Sequence, residues 1–136
     1  MNKRFWMAFA ACYVVGQVIG FLVHGLWLQP TYESLASVFR PKAEMDANMW
    51  VMFLNSAVML FVFCYIFTKG YEGKGVMEGV RYGALIGVLA GVVPSFDQAW
   101  IYPIPLSLGV TWAVAGFAYF VIVGAVLASI YRPTPK

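Results

Sequence analysis

The groups able to do chemistry are few, and they are scattered. His24 is the single histidine, and Glu33, Asp97 and Gln98 lie in the two polar connections nearest to it once the apolar runs are folded as helices. With the amides of Gln17 and Asn55 they define a candidate polar or ligand site, in which an imidazole beside a carboxylate would suit proton-linked binding. The competing account is a histidine that makes one interhelical hydrogen bond, with Gln17, Asn55 and Ser56 as further bridges between helices. A lone histidine cannot supply bis-histidine ligation. No metal, cofactor or catalytic residue is expected.

Three other groupings carry less. Cys12 and Cys64 have no CxxC arrangement and read as small buried packing residues. Gly73-Lys74 has a lysine after a glycine, but no Ser or Thr follows and the spacing is not that of a phosphate-binding loop, so it reads as a turn. Glu78 and Arg81 are three residues apart at the end of an apolar run, where they are expected to form an ion pair on one helix face while Arg81 reaches lipid headgroups.

The elements that position these residues follow from composition. The chain is 62% hydrophobic and 11% charged, against about 25% charged in a soluble domain. Apolar runs long enough for a hydrocarbon core, which takes about 20 helical residues, cover approximately 5–28, 50–68, 76–93 and 104–130. The expectation is one all-α domain over 1–136, a polytopic membrane protein with a bundle of four transmembrane helices. The first run is too long for a signal peptide and no small-x-small site follows it, so it reads as a retained span. Between spans one and two, Tyr32, Leu35, Ala36 and Phe39 share a helical face between Pro30 and Pro41, predicting a short interfacial amphipathic helix. Asp46 and Asn48 are cap-like residues ahead of the second span. The tail from Tyr131 to Lys136 is expected to be extended.

Basic residues near the span ends set the orientation. With a cytoplasmic amino terminus, Lys3, Arg4, Lys69, Lys74, Arg81, Arg132 and Lys136 fall inside and only Arg40 and Lys42 outside. Both termini are then cytoplasmic. The positive charge is a span-flanking pattern and not a patch, so nucleic acid is not an expected partner.

Glycine spacing predicts how the spans meet. Gly79, Gly83, Gly87 and Gly91 recur every four residues, lining one side of the third span with a bare groove that admits another backbone. Gly16 and Gly20 continue Cys12 towards His24 on the first span, and that stripe is a candidate to fill the groove. Gly116 and Gly124 repeat the pattern on the last span. Small-residue faces of this kind, a glycine zipper, serve contacts within a chain or between chains. A homo-oligomer or a larger membrane complex in the lipid bilayer is therefore an expected state.

His24-Gly25-Leu26-Trp27 closing the first span, Glu78-Gly79 with Arg81-Tyr82-Gly83 opening the third, and Ile130-Tyr131-Arg132-Pro133 after the last resemble small four-span bacterial inner-membrane proteins of uncharacterised function. The resemblance implies the fold and a bacterial cytoplasmic membrane, and carries no catalytic residue. Three classes follow. A non-catalytic helix-packing or accessory subunit predicts that Gln17, His24 and Asn55 are sealed by interhelical bonds and that the glycine faces meet a partner chain. A small oligomeric transporter or channel predicts that those residues share a water-accessible path. An intramembrane enzyme requires His24, Glu33 and Asp97 within hydrogen-bond reach.

Overall fold

The computed structural model describes residues 2–132. Met1 and the tail residues Pro133 to Lys136, for which an extended course is expected, lie outside the described residues. Four helices are long and apolar enough to cross a membrane: α1 (Lys3–Trp27), α4 (Met49–Lys69), α5 (Val76–Ile101) and α6 (Leu106–Ile130). Two six-residue helices, α2 (Gln29–Ser34) and α3 (Lys42–Ala47), lie between α1 and α4. No strand occurs among the described residues.

Local chemistry sets most of the ends. Asn2 caps α1, its side chain accepting the Phe5 N–H at 2.9 Å. From Phe21 to Trp27 the helix widens into π turns, and the Leu28 N–H reaches back five residues to the Val23 carbonyl at 2.8 Å. Asn48 stands at the N-cap of α4, as expected, but its side chain makes no capping bond there. Its amide donates to the Glu44 carbonyl at 2.9 Å and closes α3, while Asp46 is taken by an ion pair with Lys42. Pro105 precedes α6 as its cap residue.

The third span is longer than the sequence predicts. Pro94 lacks an N–H and its ring crowds the carbonyl four residues back, which marks a helix end. Here the six residues Gly87–Val92 adopt wide π turns just before it, and the helix restarts with Pro94 in its first turn. The proline's two defects then fall where the regular bonding is already interrupted. α5 therefore continues to Ile101, and Asp97 and Gln98 stand on a helix and not in a loop.

The single amphipathic helix expected through Tyr32, Leu35, Ala36 and Phe39 does not form. α2 stops at Ser34, a turn follows, and Pro41 starts α3. Tyr32, Leu35, Val38 and Phe39 nevertheless face one way and pack on a small core of Leu28, Ile104 and Leu108, while Ala36 is exposed. The connection is a plug over the ends of α1 and α6.

α6 is the axis of the bundle. α5 docks along it through all of its segments, α1 packs on another side, and α4 packs on α1. The α5 groove is thus filled by α6, not by the small stripe of α1. A Cβ on Gly79 would overlap the Gly124 carbonyl oxygen, and one on Gly91 would stand 2.8 Å from the Gly116 carbonyl carbon. Such contact matters because lipid tails remove the usual hydrophobic drive between helices, leaving close packing to hold them. The main core gathers Phe5, Ala8 and Cys12 of α1, Leu60, Phe63, Cys64 and Phe67 of α4, and Phe120, Val123, Leu127 and Ala128 of α6. Tyr82 of α5 reaches across to α4 and donates to the Phe63 carbonyl at 2.6 Å.

Candidate functional site

The polar residues separate into three places. At the plugged end, the Tyr32 hydroxyl is a hub. Trp112 of α6 donates its indole N–H to it at 2.8 Å, and Nδ1 of His24 lies 2.6 Å away, edge to edge, with the two ring planes nearly parallel at 11°. Because the indole can only donate, it occupies an oxygen lone pair and leaves the phenol proton to go to Nδ1 of a neutral imidazole. Burial pushes the Tyr32 phenol above its usual pKa, against a smaller opposing effect of the Trp112 hydrogen bond. Phe39 packs edge-on against the Tyr32 ring at 5.3 Å.

The carboxylates expected beside His24 are elsewhere. Glu33 accepts from the Gln29 amide at 3.0 Å, one turn along α2. Asp97 and Gln98 are exposed on α5. The acid–base grouping of His24, Glu33 and Asp97 is replaced by His24, Tyr32 and Trp112. Tyr32 was findable from the sequence, since residues 24, 28 and 32 fall on one helical face and the helix needs only to continue past Leu28. Trp112, from the far end of the chain, had no such signal.

At mid-depth, Gln17 of α1 donates to the Ser56 hydroxyl of α4 at 2.6 Å. Ser56 in turn donates to the Phe53 carbonyl at 3.0 Å, which also accepts the Tyr13 hydroxyl at 3.3 Å. These bonds tie α1 to α4. Asn55, one residue before Ser56, takes no part in them and is exposed on the outer side of α4.

At the other end, Glu78 does not pair with Arg81. The ion pairs among the described residues are Arg40 with Glu44, Lys42 with Asp46 and Lys74 with Glu72. Both Glu78 oxygens are occupied by backbone, accepting the N–H of Glu72 at 2.6 Å and of Lys74 at 2.7 Å. The carboxylate folds the preceding loop back over the start of α5, in the manner of an extended capping box. Lys74 holds the exposed Glu72 carboxyl below its ordinary pKa.

The glycines also separate. Gly79, Gly83, Gly87 and Gly91 face α6, and Gly116 and Gly124 return the contact. Gly16 lies under the Tyr119 hydroxyl and Leu60, whereas Gly20 has nothing within 4 Å of where a Cβ would stand. Each glycine of the candidate packing set except Gly20 therefore lies close to atoms of this same chain. Cys12 and Cys64 are buried free thiols, with Cys12 Sγ 3.6 Å from the Val123 carbonyl. An apolar groove of about 350 Å³ runs between α4 and α5, with Met59, Val62 and Ile66 on one wall, Ile86 and Leu89 on the other, and Phe120 at its floor.

Fold and polar groups together define an all-helical, four-span membrane protein whose polar side chains tie its elements to one another. No family model matches the chain, and neither a curated protein nor a solved structure matches it.

Proposed function

We propose that this chain is a non-catalytic integral membrane protein, a helix-packing or accessory subunit of a membrane complex. One observation carries the reading. Gln17 and Nδ1 of His24, polar groups that a transport path would use, are each engaged in a 2.6 Å hydrogen bond to a neighbouring element, although the His24 ring is exposed. In hydrocarbon such bonds hold a bundle together, and breaking them to admit a substrate would leave unpaired polar groups. Because the glycine faces are consumed inside the chain, any partner must meet the outer surface of α4 or the lipid-facing sides of the other spans.

The location proposed is a bacterial cytoplasmic membrane with both termini cytoplasmic. The distribution of basic residues supports the orientation, and the likeness to small four-span bacterial proteins supports the membrane. A small oligomeric transporter or channel is the second reading. It is favoured by Asn55, whose outward amide would line a path shared between copies, and by the exposure of His24.

Extraction from native membrane in a mild detergent, followed by native mass spectrometry, separates the two. Recovery with other polypeptides in a fixed ratio is the expected result. A homo-oligomer without companions, whose reconstituted vesicles become permeable to a small solute or ion, would overturn the accessory reading.

A further inference from the structure

Asn55 stands about 9 Å along the helix axis from Met49, the first residue of the span, farther than its short side chain extends. Met52, Leu54, Val58 and Met59, its exposed neighbours on the helix surface, are apolar, and Asn55 itself is exposed. Its amide has no hydrogen-bond partner among the described residues. Ser56 bonds back to its own helix at the Phe53 carbonyl and Asn48 to the Glu44 carbonyl, yet Asn55 makes no such bond. Lipid tails offer it neither donor nor acceptor.

A second observation, independent of the amide, gives the partner's shape. Met52, Asn55, Met59, Val62 and Ile66 are spaced by three, four, three and four residues, the heptad seam of two helices packed side by side. The four apolar members are all exposed, Met52 most of all at 67%. The residues of α4 buried in the core are a different set, Leu60, Phe63, Cys64 and Phe67, while Met59, Val62 and Ile66 wall the open groove beside α5.

We infer that α4 is a self-association seam, along which a second copy of this chain packs through its own α4 with Asn55 bonded to Asn55. The occupant follows from the chemistry. A carboxamide both donates and accepts, so it is its own complement. Copies inserted in one orientation are related by a two-fold axis along the membrane normal, which makes the two α4 helices parallel and puts both Asn55 residues at one depth. The polar position then fixes register, and the apolar positions on either side meet their equivalents. The inference deepens the proposed packing role by naming the first contact of the assembly, and it rests on that reading.

Cysteine substitutions at positions 52, 55, 59 and 62, with positions 54 and 58 as off-seam controls, test it by oxidative cross-linking in native membranes. The native chain, whose two thiols are buried, serves as the blank. Dimer bands are expected at the four seam positions and not at 54 or 58. In vesicles carrying donor- and acceptor-labelled copies, Asn55→Val should weaken association roughly tenfold, while Asn55→Gln keeps most of it. Cross-links confined to the controls, cross-links nowhere, or an Asn55→Val chain that associates as tightly as the native one would each overturn the seam. A photo-cross-linker at position 55 that captures a different polypeptide would also overturn it, and would leave the accessory role standing. A chain recovered alone by native extraction, with seam cross-links present, would instead remove the accessory role and leave the seam.

Discussion

Gly79 and Gly124 bring the backbones of α5 and α6 into direct contact, each lying where a Cβ on the other would overlap its carbonyl oxygen. The overlap is with backbone, which cannot swing aside as a side-chain tip can. Gly124→Leu should therefore force α5 off α6 and cost about 3 kcal/mol, the upper range for overpacking a filled interior. Gly20→Ala, at a position with open space around it, should be neutral or gain up to about 1 kcal/mol from helix propensity. Reversible unfolding in mixed detergent micelles measures both. Equal losses at the two sites would mean that the four-residue glycine spacing, and not the α5–α6 contact, sets stability.

The bond from Gln17 to Ser56 joins α1 to α4 in the middle of the bundle. Gln17→Leu and Ser56→Ala should each destabilise, and their double-mutant cycle should give a coupling of about 0.6 to 2 kcal/mol, the range for interhelical polar pairs in a bilayer. Additive effects would show that the pair does not hold the helices together. The same cycle run between Gln17 and Asn55 should give no coupling, because Asn55 faces away.

The architecture was readable because membrane spans announce themselves by local composition. The four spans, the Gly79 to Gly91 groove and the packing role of Cys12 and Cys64 all depend on residues close in sequence or on a fixed helical period. What was not readable depended on pairing between elements. Glu78 and Arg81 share a helix face, yet the carboxylate prefers two backbone N–H groups that the glycine-rich loop delivers to it. Element order alone gives His24 carboxylate neighbours, whereas the π turns of Phe21–Trp27 and the turn at Leu28 hand it to Tyr32 instead. Pro94 gave a correct local signal that the preceding wide turn overrides.

Tyr32 ties the plug to both α1 and α6, so Tyr32→Phe removes the partner of His24 and of Trp112 at once. The variant should loosen the plug more than Phe39→Leu does, read as faster hydrogen exchange over residues 29–39 and a shift in tryptophan emission. The phenol also sets a pH dependence. Its pKa in the folded chain is raised above the ordinary 10.0, so below that value both folded and unfolded chains keep the proton and the full contribution is present. As pH climbs past 10.0 the unfolded chain ionises first, and stability falls until the folded phenol also ionises. Near-ultraviolet tyrosinate absorbance should show this tyrosine titrating late, and Tyr32→Phe should take one phenol out of the late-titrating absorbance.

Glu78 and Arg81 supply the sharpest contrast between the pattern in the sequence and the bonds in the structure. Were they an ion pair, Glu78→Gln and Arg81→Gln would do equal damage. With Glu78 bonded to the Glu72 and Lys74 amides, Arg81→Gln should stay within about 0.5 kcal/mol of the native chain, as an unpaired surface change does. Glu78→Ala leaves two loop N–H groups without their acceptor and should cost about 1 kcal/mol, a charged capping bond discounted for its exposure. Hydrogen exchange locates the effect: the amides of Glu72 and Lys74 should lose protection in Glu78→Ala and keep it in Arg81→Gln. Protection lost equally in both variants would return the ion pair to the account and remove the cap.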